Sequence, residues 1–405
     1  MIAPTQAADL LTPAGAELLG RLRGETITPA RALVLAAELR RYYPAELVAA
    51  ALTQQSLRVA AREKFSHADE MFFTRAGLEQ ASAEVVADHS AHRFDGMTAI
   101  ADLCCGIGGD LAALARSAER VLAVDADLDT LRFARRNVTG LQSGAVSFVC
   151  ADVLDLAPVF LRGVAGAFID PARRTSGRRL RTGDSQPPLE WCLGLQELVG
   201  AVGIKAAPGL ADDVIPVGWE AEFVAVGRGL KEALLWSPAI GSARRRATIL
   251  PSGASLVAEA GTAVPVPVAD PGEYLLDPNP AVTRAGLVQE LARGLGAWQI
   301  DPMIAFLSAD RPVSTPFART LRILESLPWH EKQAAKKLRE LGIGAADIRR
   351  RGLAGDVEQI HRRLGLHGDR RATIVLTRRI GKPWGLICED VAPDRQDQAT
   401  DPRPS

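Results

Sequence analysis

The sequence predicts an α/β protein: a parallel sheet with crossover helices, led by a helical segment and followed by a smaller α+β unit. Three observations carry that expectation. Short apolar runs alternate with helical stretches over residues 67–250, the pattern of strands covered on both faces by crossovers. A glycine-rich turn, Gly106-Ile107-Gly108-Gly109, stands where the first strand meets a helix. Charge is unevenly divided: Lys+Arg and Asp+Glu are both 48, yet Pro316 to Lys382 holds 16 Lys/Arg against 7 Asp/Glu. Such an excess marks a module that faces a polyanion.

A chain of 405 residues with 47% hydrophobic and 24% charged residues can bury two to three cores, which excludes a disordered or collagen-like chain. The cysteines, Cys104, Cys105, Cys150, Cys192 and Cys388, are few, odd in number and form no C-x-x-C pair. A disulfide scaffold or zinc ribbon is not expected, and no metal site is expected. The first 20 residues carry Asp9 and Glu17 but no Lys or Arg, so no secretory signal is expected. No run of 18 apolar residues occurs, so no membrane span is expected either, and the cytoplasm is the expected compartment.

Residues 1–66 form a helical segment. Thr12-Pro13 and Thr28-Pro29 each place a capping hydroxyl before a proline at the first helical position. Pro44 opens a third helix with apolar Leu47, Ala50, Ala51 and Leu57. Strands are expected at Ala99–Leu103, Arg120–Asp125, Val146–Cys150, Val164–Asp170, Val202–Ala206, Ala221–Val226, Ala233–Trp236 and Ala247–Leu250. The last three follow closely on one another, which suggests an antiparallel addition at one edge. The sheet domain spans 67–251, and the stretch to 272 is an edge strand or a linker. A third domain, 273–392, is expected to hold helices at Asn279–Gly294, Pro316–Leu324 and His330–Leu341. Strands are expected there near Met303–Leu307 and at Arg371–Arg379 and Gly385–Cys388. The tail 393–405, rich in Pro, Asp and Gln, is expected to be disordered.

The chemistry is written at the strand ends. Asp102 lies on the first strand, Asp125 ends the second, 23 residues later, and Asp152 follows the third. In an open α/β sheet these ends line one crevice, where a carboxylate can accept both ribose hydroxyls of a nucleoside. A dinucleotide site needs G-x-G-x-x-G with the pyrophosphate on the helix N-terminus. Here no third glycine stands in place, and Asp102 and Asp110 flank the turn, where they would repel a pyrophosphate. A ligand bearing an ammonium and a sulfonium is favoured instead, which points to S-adenosyl-L-methionine. Asp102, Gly106, Gly108 and Gly109 are assigned to its methionine part, Asp125 to the ribose and Asp152 to the adenine. Cys104 and Cys105 are read as small packing residues of the same turn, with Cys104 against the cofactor.

The fourth strand ends in Asp170-Pro171. Its end should face the methyl group, where Asp170 could orient an acceptor N–H or take its proton and Pro171 fixes the turn. Arg173 and Arg174 follow and could grip phosphates of a substrate.

Asp102–Asp110, Asp125, Asp152 and Asp170-Pro171 resemble, in order and spacing, the motifs of class I S-adenosylmethionine-dependent methyltransferases. That resemblance implies a Rossmann-like sheet and methyl transfer. Phe72-Phe73-Thr74 with Glu84-Val85-Val86-Ala87 looks like the trimethylguanosine synthase branch, in which an upstream aromatic-Thr segment folds over the cofactor. The likeness covers about residues 64–175. The sequence departs from that branch at Asp170-Pro171-Ala172-Arg173, which lacks the aromatic that stacks on guanine. It also departs from RNA 5-methyluridine methyltransferases: Lys205-Ala206-Ala207-Pro208-Gly209 holds no cysteine, which disfavours covalent pyrimidine C5 chemistry.

Residues 273–392 resemble a THUMP-like domain through Tyr274-Leu275-Leu276-Asp277-Pro278-Asn279-Pro280, Lys332–Leu341, Arg371–Leu376 and Trp384. The resemblance implies RNA, a structured tRNA or rRNA, as partner, with neither DNA nor membrane expected. Lys336 and Lys337 head the basic candidates. With only 5% aromatic residues, grip on a folded RNA backbone is expected over single-strand stacking. The alternatives are an RNA-binding protein that keeps the fold with little turnover, and a methyltransferase acting on small molecules or protein.

Overall fold

The computed structural model describes residues 8–139, 144–156, 158–172, 185–258 and 265–391, and the backbone alone of 174–175 and 178–179. The chain divides into two compact units, Met1–Val224 with Lys231–Arg244, and Ala225–Leu230 with Arg245–Ser405.

The described part of the first unit includes the helices α1 (Pro13–Arg21), α2 (Pro29–Leu39) and α3 (Ala45–Ala61) near its start. Thr12 and Thr28 cap α1 and α2 as expected, their hydroxyls accepting the N–H groups of Gly15 and Arg31. The apolar stripes of these helices share one core with Phe72 and Phe133, so the segment is buttressed by the α/β part of its unit. Two short helices follow, α4 (Arg75–Gln80) and α5 (Glu84–Ala91).

The sheet of this unit contains β1 (Ile100–Leu103), β2 (Arg120–Asp125), β3 (Ala145–Cys150), β4 (Gly166–Ile169), β5 (Ala201–Ala206) and the greater part of β6 (Glu220–Val226) and β7 (Gly229–Trp236), whose residues 225–230 count with the second unit. Its order is β6-β7-β5-β4-β1-β2-β3. Strands β1 to β5 pair in parallel, and β7 joins β5 antiparallel, the expected edge addition. Helices α6 (Gly109–Ser117) and α7 (Leu128–Val138) cross over after β1 and β2. Because β2 and β4 lie on opposite sides of β1, the strand order reverses there, and a crevice opens at the C-terminal ends. Phe168 of β4 locks the sheet's interior, its ring centroid 6.1 Å from that of Phe94 and 6.3 Å from that of Trp236.

In the second unit, Arg245–Leu250 and Ala254–Val257 form an antiparallel pair. A seven-stranded sheet runs Trp298–Gln299, Leu307–Ala309, Tyr274–Pro278, Ala318–Pro328, Lys382–Asp390, Arg370–Arg379 and Ile343–Arg350 in spatial order. Helices Glu331–Glu340 and Val357–Leu364 bury Ala334, Leu338, Ile360 and Leu364 in the same cluster as Ala372, Ile374 and Leu376 of that sheet.

Several expectations for this unit need correction. The segment Pro316–Leu324 is not a helix. Residues Ala318–Pro328 form a strand whose register shifts between Ile323 and Glu325, and that bulge breaks the two-residue alternation that would have revealed it. The single helix Asn279–Gly294 is two, Pro280–Ala285 and Val288–Leu295, because Gly286 turns left-handed at φ 73° and the Leu287 N–H closes back on Val282 O. The strand placed at Met303–Leu307 begins only at Leu307, after a turn in which Asp301 accepts the Met303 N–H. The edge strand Ile343–Arg350 was not foreseen, since its solvent-facing charges hide the apolar period. The tail expected to be disordered lies outside the described residues.

Candidate active site

A cavity of about 490 Å³ opens at the reversal point. Its floor is the turn after β1, where Cys104 takes a left-handed backbone (φ 62°). Cys105, Gly106, Ile107, Gly109 and Asp110 complete that wall. Asp125 and Thr130 enter from the β2–α7 side, and Asp170, Pro171 and Ala172 from the end of β4. Gly108 lies behind the lining, at φ 84°, as the N-cap of α6. Burial pushes the Cys104 and Cys105 thiols up, which leaves them as packing groups.

The remaining wall is the segment Thr74–Ala81, which includes α4. Thr74 starts that helix by accepting the Gly77 N–H at 2.9 Å. Gly77 packs so closely that a Cβ would lie 2.5 Å from Ile107 Cγ2. At the other end, Lys64 Nζ donates to Leu78 O at 2.7 Å and to Ala81 O at 2.9 Å, so one half-buried ammonium clips the last turn of the wall. Phe72 and Phe73 are buried behind this segment and do not line the cavity. Phe72 packs at a tilt against Phe133 and Phe73 against Phe65, with centroids 5.6 and 5.7 Å apart. Asn137 ties the aromatic segment to the turn: its Nδ2 donates to Phe72 O and Ile107 O, and its Oδ1 accepts the Phe72 N–H.

The acidic groups gather around one lysine. Lys205, buried on β5, donates to Asp110 Oδ2 at 2.6 Å and to Asp170 Oδ2 at 2.9 Å. Asp102 is 1% exposed, and burial with the neighbouring Asp110 charge holds its carboxyl well above the usual carboxylate range. Glu232 of β7 accepts from Ser82 Oγ at 2.9 Å and is pushed up to about 7, chiefly by burial. Asp102 Oδ2 and Asp110 Oδ1 are buried and have no hydrogen-bond donor among the described residues. Buried acceptors in that state demand one. An ammonium with three N–H groups fits that demand, and a sulfonium fits the carboxylate excess. The methionine end of S-adenosylmethionine carries both.

Asp125 accepts the Gly106 N–H (Oδ2, 2.9 Å) and the Asp127 N–H (Oδ1, 2.9 Å), which fixes its carboxylate at the rim; burial raises it above the ordinary range. Asp152 is exposed, is not among the lining residues and accepts the Leu154 N–H within its own turn. Arg173 lies outside the described residues, and Arg174 is described only as backbone paired with Arg179. In the second unit, Lys337 Nζ contacts Glu325 at 3.1 Å and Glu340 at 3.3 Å, and Lys336 is exposed 3.8 Å from Glu340. The groups not foreseen are Lys205, Glu232, Ser82, Lys64 and the wall Ala76–Ala81. The first two did leave a signal: a lysine inside Ala201-Val202-Gly203-Ile204-Lys205 and a glutamate inside Glu232-Ala233-Leu234-Leu235-Trp236 are charges within strands buried on both faces.

A mostly parallel sheet that reverses at β1, a glycine turn and carboxylates at adjacent strand ends define a class I S-adenosylmethionine-dependent methyltransferase. The comparisons agree. Residues 100–163 match the methyltransferase domain family, residues 318–390 match a THUMP domain-like family, and residues 4–61 match a domain of unknown function. An uncharacterised S-adenosylmethionine-dependent methyltransferase of Mycobacterium tuberculosis, in strains CDC 1551 and H37Rv, is 39% identical over 313 residues, 76% of this chain and 84% of the relative. The chain belongs to that family of S-adenosylmethionine-dependent methyltransferases and carries a C-terminal THUMP-like domain. The crystal structure of a candidate methyltransferase from Porphyromonas gingivalis W83 shares the fold, with a TM-score of 0.71 at 20% identity over 91% of this chain and 100% of that one.

Proposed function

We propose that the methyl acceptor is RNA, a structured tRNA or rRNA, and that the cavity at β1 and β4 is where the transfer occurs. The observation that carries the RNA reading is the basic stretch 316–382, which overlaps the THUMP-like match and keeps Lys332, Arg349, Arg362 and Arg378 exposed. Exposed cations at that density favour a phosphate backbone by counterion release.

When bound, S-adenosylmethionine supplies a methyl group made electrophilic by its sulfonium. Asp110, which lines the cavity, holds the ammonium through the oxygen that lacks a donor among the described residues, and the buried Asp102 next to it adds negative charge. Asp125 accepts from the ribose hydroxyls with the lone pairs that the backbone leaves open. Asp170 orients an acceptor N–H and takes its proton as the nitrogen is methylated, and Pro171 keeps that carboxylate at a fixed height. The wall Thr74–Ala81 covers one side of the cavity, and the buried Phe72 and Phe73 precede it.

Labelled methyl transfer to total RNA tests the substrate. The label is expected in RNA, and retention of that RNA should weaken steeply with salt. Lys332→Glu combined with Arg362→Glu should lower retention and flatten the salt slope by about 0.7–0.9 for each lost phosphate contact. Label in protein or metabolites with none in RNA would refute the reading. For the cofactor, Asp125→Ala removes charge-assisted bonds of about 1.5–3 kcal/mol, so binding should weaken about 10- to 100-fold by calorimetry. Unchanged affinity would remove Asp125 from the site.

A further inference from the structure

We propose that Lys205 is a positioning residue, whose single ammonium is shared between Asp110 at the cofactor end of the cavity and Asp170 at the acceptor end. This rests on the reading of the cavity as the cofactor site. The geometry is direct. Nζ lies 2.6 Å from Asp110 Oδ2 and 2.9 Å from Asp170 Oδ2, two carboxylates on different elements, one starting α6 and one ending β4. The side chain is 2% exposed, against 12% for Asp110 and 25% for Asp170, so the cation is internal and both carboxylates border the cavity. Nζ also sits 5.9 Å from the centroid of the Phe168 ring, whose π-face favours a cation there.

The charged groups facing this point are unbalanced. Asp102 of β1, Asp110 of α6, Asp170 after β4 and Glu232 of β7 all act on Lys205 or feel it. Lys64, after α3, is the opposing positive neighbour, with Lys231 beside it. Asp125 acts on Asp102 from β2. One internal ammonium therefore opposes the cost of burial at Asp102, Asp110 and Glu232, favouring their charged forms without outweighing that cost. Without it, Asp110 binds a proton more tightly, and an arriving ligand ammonium has to expel that proton. With Asp170 neutralised instead, Lys205 serves Asp110 alone, and Asp110 binds its proton less tightly.

The test is S-adenosylmethionine affinity by calorimetry from pH 5.5 to 7.0, below the range in which the ligand's own amine titrates, at about pH 7.7–8.0. It needs no methyl acceptor. For Lys205→Met, affinity should rise with pH more steeply than for wild type, by up to about tenfold more per pH unit, the signature of one extra proton released. Lys205→Arg should restore the wild-type slope. Asp170→Asn, a change at the accessible end of the pair, should give a slope shallower than wild type, and it decides the matter if Lys205→Met fails to fold. Unaltered slopes would overturn the role of Lys205 while leaving the cofactor site standing. Failure of wild type to bind, or full affinity in Asp125→Ala, would instead overturn the reading of the cavity.

Discussion

Asp170→Ala should lower kcat for methyl transfer by about 10²- to 10⁴-fold, the usual range for a positioned general base. The affinity for S-adenosylmethionine should change far less, because Asp102, Asp110 and Asp125 remain. The expectation follows from placement. Asp170 is a quarter exposed, lines the cavity beside the more deeply buried Asp110, and is the group just beyond β4 on the far side of the reversal point from Asp125. Its N–H is held by Leu103 O at 3.3 Å, which ties the β4 end to the β1 end and fixes the height of the carboxylate. Asp170→Asn separates two roles. If the carboxylate takes the proton, Asn should be as poor as Ala. If it only orients the acceptor through an accepted N–H, Asn should recover part of the rate. Single-turnover rates with saturating cofactor measure this directly, and a rate for Asp170→Ala within tenfold of wild type would take Asp170 out of the chemistry.

Most of the sheet was legible because its strands are short apolar runs with no competing helical period. Ile100–Leu103 and Gly166–Ile169 are fully buried, so every residue reports the same environment. The helices of residues 1–66 were legible because Thr-Pro pairs mark their starts. The strand Ala318–Pro328 was not, because a bulge disguises its alternation, and it is laid against a strand more than 50 residues away in sequence. At the site, the carboxylates announced themselves by standing at strand ends. Lys205 was hidden by position: it sits inside a strand, and only the fold reveals that α6 and the β4 end bring Asp110 and Asp170 to it. Phe72 and Phe73 were legible as important but not as core, since an aromatic pair beside a cofactor motif looks the same in one dimension whether it touches the ligand or supports what does.

The second large effect concerns stability. Arg93→Ala should destabilise the first unit by about 3–5 kcal/mol, the cost of breaking a buried ion pair from one side. Arg93 Nη2 donates to Glu220 Oε1 at 2.7 Å and reaches Glu222 Oε2 at 3.3 Å, and Nη1 donates to Ile240 O at 2.9 Å. Both glutamate side chains are fully buried on β6, and the guanidinium lies 5.2 Å from the Trp236 ring centroid. Trp236 Nε1 and His89 Nε2 bond the two oxygens of Glu222 at 2.8 and 2.7 Å, and the Ser242 and Ala243 N–H groups bond Glu220 Oε2. The indole and the two backbone N–H groups carry no net charge, so they do not take over the charge of the guanidinium beside two buried carboxylates. The arginine thus fastens the turn after α5 to the strand β6, whose neighbour β7 carries Glu232. Arg93→Ala combined with Glu220→Gln and Glu222→Gln should recover a substantial part of the loss, because the amides need no compensating cation. Urea unfolding of the three proteins decides it. A loss below about 1 kcal/mol in Arg93→Ala, the range of an exposed ion pair, would mean that solvent reaches the glutamates and that the cluster is not the fastening described.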